Sequence, residues 1–182
     1  MIYFTSDLHF GHYREFIYGA RGFGSIQEHD EALIEHWNST VKPDDVVYVL
    51  GDIMLKDNDH GMKCWNELIG NKMVVWGNHD SAPRRELLTA AHDTEVLGFS
   101  SMLDYGGLHF YLSHYPTLTS NYDDPNKPEK RVIDLCGHTH VTDRFADMDK
   151  GWIYHVELDC HDNHLVPIEE IISDLGSYKR RV

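Results

Sequence analysis

The 182-residue chain has a formal net charge of −14 with histidine neutral, and 41% hydrophobic against 25% charged residues. These values suit one globular domain over residues 1–182 and exclude a protein that grips a long nucleic-acid groove through a basic face. Apolar runs are about strand length, so no membrane span is expected, and "MIYFTSDLHF" lacks the basic and long apolar segments of a signal peptide.

A β-rich run, Ile2 to Ser6, opens the chain. Ser25, with Glu28 three residues later, is a capping-box signal, and Leu33, Ile34 and Trp37 give a helical apolar face behind it. A helix is therefore predicted over "SIQEHDEALIEHWN". "VVYVL" (Val46 to Leu50) reads as a strand, "DNDHGMKCWNELIG" as a helix ending at Gly70, and "KMVVW" (Lys72 to Trp76) as a strand. The second half is richer in strands: "EVLGFSSMLDYGGLHFYLSHY" with a turn at Gly106-Gly107, then "RVIDLCG" and "GWIYHVEL". Residues 115–130, "YPTLTSNYDDPNKPEK", read as a long loop, and "PIEEIISDL" as a terminal helix opening at Pro167. The order βαβα followed by further strands predicts an α/β fold with a mixed sheet or two stacked sheets.

Cys64, Cys136 and Cys160 show no CxxC spacing, which argues against a disulfide framework and for a reducing cytoplasm. Fourteen histidines are the compositional outlier, and several are arranged. Asp7 and His9 follow the first strand, and Asp52 the second. Asn78, His79 and Asp80 follow the third. His114 follows "LHFYLS", and His138 and His140 follow "VIDLCG". Ligands of open α/β sheets bind at the carboxyl ends of strands, so these side chains are expected to converge. In extended chain, the i, i+2 pairs Asp7/His9 and His138/His140 would face one side, roughly 6–7 Å apart.

The ordered set "DLH", "GD", "GNHD", "SH" and "GHTH" resembles the calcineurin-like metallophosphoesterase family. The form "DLHFGH", with "SHYP", looks like a small bacterial or phage-type branch. The resemblance covers about Ile2 to Asp159. It implies a four-layer αββα sandwich, two stacked mixed sheets flanked by helices. It also implies two divalent ions, manganese first, with iron, zinc or nickel as alternatives. One ion would take Asp7, His9, Asp52 and His140, and the other Asp52, Asn78, His114 and His138, with Asp52 bridging. Two ions about 3.5–4 Å apart can hold a shared hydroxide for in-line attack at phosphorus. His79 would be the general acid, a role imidazole suits near neutral pH.

The implied activity is hydrolysis of a phosphate ester, with a small phosphodiester, a nucleotide or a nucleic-acid end favoured over a monoester. The alternatives are a phosphomonoesterase of the same mechanism and a non-catalytic binding scaffold. Family members often carry an acid three residues after the bridging aspartate, where this chain has Leu55. Asp80 reads as an N-cap of the following helix. His12 and Arg144 are candidate phosphate contacts. His155, His161 and His164 are expected at the surface, and Cys136 in the core.

Overall fold

A computed structural model describes residues 1–119, 132–146 and 152–179. In chain order the elements are β1 (Ile2–Thr5), α1 (Glu15–Tyr18), α2 (Ile26–Thr40), β2 (Val46–Leu50), α3 (Asn58–Glu67), β3 (Asn71–Val75), α4 (Ala82–Thr89), β4 (Thr94–Gly98), β5 (Ser100–Tyr105), β6 (Leu108–Ser113), β7 (Val132–Cys136), β8 (Ile153–His155), β9 (Val166–Pro167) and α5 (Ile168–Lys179). They build two mixed sheets with flanking helices. One sheet has the order β4-β3-β2-β1-β9 and the other β5-β6-β7-β8. β1 to β4 run parallel and β9 returns antiparallel. In the second sheet β5 opposes β6, while β6, β7 and β8 run parallel.

Strand alternation divides the core in two. Tyr3, Val47, Val49 and Val74 face the helices, packing with Leu33, Trp37 and Trp65 of α2 and α3. Phe4, Leu50 and Val75 point the other way, into a cluster with Phe110, Leu112, Ile133 and Leu135 of the second sheet and Ile171 and Leu175 of α5. Both sheets thus present their carboxyl ends side by side.

Ser25 caps the helix as expected, its hydroxyl accepting from Glu28 N at 3.1 Å, but the Glu28 carboxylate reaches one residue past the cap and accepts from Gly24 N at 2.8 Å. α3 stops at Glu67 rather than reaching Gly70. The Leu68 and Ile69 carbonyls that another turn would use accept from Lys72 Nζ and Trp37 Nε1 instead. Pro167 pairs with Tyr3 at the sheet edge rather than opening the last helix, and α5 runs on to Lys179. The loop expected over 115–130 lies outside the described residues beyond Thr119. Among the described residues no helix is long and apolar enough to cross a membrane.

Candidate metal centre

The polar residues that follow the strands meet where the two sheets adjoin. β1, β2 and β3 deliver Asp7, His9, Asp52 and Asn78, and β6 and β7 deliver His114, His138 and His140. Ligand atoms of Asp7, His9 and His140 lie within 4.8 Å of one another, as do those of Asp7, Asp52 and His114. Asp7 is common to both groups, and Asp52 Oδ2 of the second lies 3.9 Å from His9 Nε2 and 3.5 Å from His114 Nε2. Asn78 Oδ1 is 2.9 Å from His114 Nε2. The His138 ring lies 5.0 Å from that of His114.

The backbone that delivers these side chains is not extended. Asp7, His9, Asp52, His138 and His140 all have φ between 50° and 75°. Each such non-glycine residue costs about 1–3 kcal/mol, and such strain clusters at functional sites. Left-handed turns, not a pleat, aim both i, i+2 pairs.

Close interlocking of the loops fixes this shape. Asp80 was expected to cap a helix but does not: α4 begins after Ser81, and Asp80 is buried. Its carboxylate accepts from Gly77 N at 2.7 Å, Asp52 N at 3.0 Å and Ile53 N at 3.2 Å, tying the "GNHD" loop to the "GD" loop. His79 N donates to Asp52 Oδ1 at 2.8 Å. Ser6 Oγ and His138 N donate to Asp7 Oδ2 at 2.7 and 2.9 Å. Glu157, fully buried, accepts from Thr139 Oγ1 and Val141 N and so holds the "GHTH" turn.

The donor set fits cations. Asp7 Oδ1 is buried with no hydrogen-bond partner. His9 Nε2 and His140 Nε2 face each other at 3.2 Å. Burial pushes the Asp7 carboxyl up, but the His9 imidazole 3.7 Å from Oδ1, with the charges of His114 and His140, holds it well below the usual carboxylate range. Burial pushes the His114 imidazole down, yet Asp52 and Asp7 carry it up to about 9. Such a cluster of opposed acids and imidazoles balances its charge through protons, and divalent ions can replace those protons.

A cavity of about 440 Å³ opens over this cluster, walled by His12, Phe16, Ile17 and Ala20 on one side and by His79, His138 and His140 on others. His12 is inside it, its imidazole driven down to about 4 by burial and by the charges of His9 and His79. His79 stands at the mouth with its side chain 43% exposed and Nε2 3.9 Å from Asp52 Oδ2. Leu55 brings no acid to it. Arg84 steadies the His79 backbone instead, donating to its carbonyl at 2.6 Å and bonding Asn58.

Arg144 is not brought to the site. Its guanidinium pairs with Glu170 and Asp174 of α5, each at 2.7 Å. His155 and His161, expected at the surface, are buried, whereas His164 is exposed and stacks on His36. Arg21 and Asp159 carried no signal in the sequence. Asp159 Oδ2 accepts from His140 Nδ1 at 2.9 Å and from Arg21 Nη2 at 2.8 Å, and Arg21 also donates to the Asp7 carbonyl.

The family model for the calcineurin-like phosphoesterase superfamily domain matches residues 1–155. The chain belongs to the calcineurin-like phosphoesterase superfamily. Among relatives within it, the gene 66 protein of Mycobacterium phage D29 is 32% identical over 93% of both chains. The uncharacterized protein MJ1445 of Methanocaldococcus jannaschii is 32% identical over 67% of this chain, and the match spans 64% of that protein. The crystal structure of the protein of unknown function AQ665 from Aquifex aeolicus superposes with a TM-score of 0.73 at 26% identity, covering 95% of this chain and 98% of that one. As a calcineurin-like phosphoesterase the chain falls among metal-dependent hydrolases of phosphate esters, and its Asp/His cluster suits that class.

Proposed function

We propose that the chain, as one domain over 1–182, is a two-metal phosphoesterase of the cytoplasm acting on small phosphodiesters or nucleotide-type esters. The observation that carries this reading is a pair of acid–imidazole groups that share Asp7, with Asp52 Oδ2 3.9 Å from His9 Nε2 of one and 3.5 Å from His114 Nε2 of the other. Asp7, His9, Asp52 and His140 would hold one ion, and Asp52, Asn78, His114 and His138 the other. The imidazole and oxygen donors suit manganese, with iron, zinc or nickel as alternatives. When bound, such ions supply Lewis-acid polarisation of phosphoryl oxygens and acidify a water.

The protein's own part is to aim and to move protons. His79 reaches the cavity mouth from a backbone clamped by Asp52 and Arg84, and gives its proton to the departing oxygen. His12, neutral at pH 7, can donate a hydrogen bond to a phosphoryl oxygen without adding charge. Phe16, Ile17 and Ala20 form an apolar wall that suits an ester with an organic group on each side of phosphorus.

The test is turnover of an aryl phosphodiester and its monoester by metal-stripped protein given Mn²⁺, Ni²⁺, Zn²⁺ or Mg²⁺. Diester hydrolysis exceeding monoester hydrolysis is expected. No turnover with any ion would overturn the enzymatic reading and favour the scaffold.

Two further results are expected. Asp159→Ala should weaken ion binding about 10–100-fold, measured by chelator competition, because His140 loses the carboxylate that orients it. The second concerns pH. The His114 imidazolium of the ion-free chain stabilises the fold fully below its ordinary 6.5, and that contribution is lost as pH rises through about 9. Melts of stripped protein should therefore lose stability across that window. Ion affinity should rise over it, since binding expels the same proton.

A further inference from the structure

A second cluster of soft and hard donors lies between α2 and α3, sharing no residue with the centre above. His60 and Cys64 stand one turn apart on α3, and Asp30 faces them from α2. His60 Nε2 is 2.8 Å from Asp30 Oδ2 and 3.4 Å from Cys64 Sγ, and the three donor atoms lie within 4.8 Å of one another. Asp30 and Cys64 are buried, whereas the His60 side chain is 37% exposed.

We propose that Asp30, His60 and Cys64 form a separate binding site for a thiophilic divalent ion of the zinc class, independent of the phosphoesterase reading. Ordinary Zn–S, Zn–N and Zn–O bond lengths in a tetrahedron set donors roughly 3.3–3.6 Å apart. The His60–Cys64 separation already matches. The Asp30–His60 pair must open by about half an ångström on the same geometry, which the half-exposed imidazole allows. Three protein donors leave the fourth position to water. A cleft of about 230 Å³, lined by Gly11, Tyr13, Asp57 and His60, borders the His60 member of the cluster.

The carboxylate is held ready for this. Asp30 Oδ1 is bonded by His29 Nδ1 at 2.7 Å, and Oδ2 accepts from Gly11 N at 2.9 Å. One lone pair on Oδ2 is left for what His60 now occupies. Because Arg21 Nη1 donates to His29 Nε2 at 3.1 Å, His29 must carry its proton on Nδ1 and give it to Asp30. Burial holds the Cys64 thiol up at about 12 in the ion-free chain, so ion binding releases its proton to water. The same hydrogen bonds run onward through Arg21 to the Asp7 carbonyl and Asp159, joining the site to the elements that carry His9 and His140.

Cobalt titration of metal-stripped protein tests this, because a thiolate bound to Co²⁺ gives a near-ultraviolet charge-transfer band and the catalytic set contains no cysteine. One thiolate-to-cobalt band per chain is expected. It should vanish in Cys64→Ser, persist in Cys160→Ser, and require more Co²⁺ in His60→Ala by over the about 10–100-fold typical of losing an outer partner. Absence of the band in the unaltered chain would overturn the proposal, as would its persistence in Cys64→Ser. If Cys64→Ser fails to fold, His60→Ala decides, since that half-exposed side chain lies outside the core; an unchanged titration there refutes the site.

Discussion

His79→Ala is expected to lower kcat by about 10²–10⁴-fold while the chain keeps its full complement of divalent ions. What His79 contributes to the site's shape is backbone. Its N–H holds Asp52 Oδ1 and its carbonyl takes the Arg84 guanidinium, and alanine keeps both bonds. The ring itself lines the cavity and is 43% exposed, where the proposed general acid would meet a departing oxygen. Loss should be largest for alkyl leaving groups, which need a proton, and smallest for activated aryl ones. Asn78→Ala should do the reverse. It removes the oxygen beside His114 and should weaken one ion while leaving the proton donor in place. Ion titration and kcat on paired aryl and alkyl esters separate the two. Parallel loss of ions and turnover in His79→Ala would refute this division of labour.

The gross arrangement was readable because each apolar run ends in a glycine or serine followed by a polar residue. A parallel sheet places such strand ends together whatever the details. The local geometry was not readable. Asp7 and His9 look like an alternating pair, yet both turn left-handed, and no periodicity reports a single positive φ. Asp80 looks like a helix cap because Ser, Asp and Asn favour caps. Besides Gly77 N, its partners are the amides of Asp52 and Ile53, 28 and 27 positions away. Arg21 and Asp159 meet across 138 positions, a contact visible only once β1 and β8 are placed. Arg144 failed for the opposite reason. Its nearness in sequence to "GHTH" suggested phosphate, but the acidic face of α5 claims it. Residues that act through one long-range hydrogen bond leave no pattern to find.

Gly137→Ala is the second large expected effect, and its cause is space rather than backbone freedom. A Cβ at 137 would fall on Ser6 Oγ and Asp7 Oδ2. Neither can retreat: Ser6 Oγ is bonded to Asp7 Oδ2, which also accepts from His138 N. Gly137 itself donates to the His114 carbonyl at 3.1 Å. This is where the carboxyl ends of the two sheets touch, one carrying Asp7, His9 and Asp52, the other His114, His138 and His140. A methyl here would prise apart the two halves of the proposed ligand set. Overpacking of this kind costs about 1–3 kcal/mol, and a shift of about 1 Å in a catalytic group is enough for a roughly 10²-fold loss of turnover. Ion affinity and turnover should fall together, unlike in His79→Ala. Gly176→Ala on α5 is the control, since its added methyl meets nothing within 4 Å. It should leave ion binding intact and raise stability by about 0.5–1 kcal/mol. A Gly137→Ala protein with unaltered ion stoichiometry and turnover would show that the two sheets do not share one metal centre in the way these contacts require.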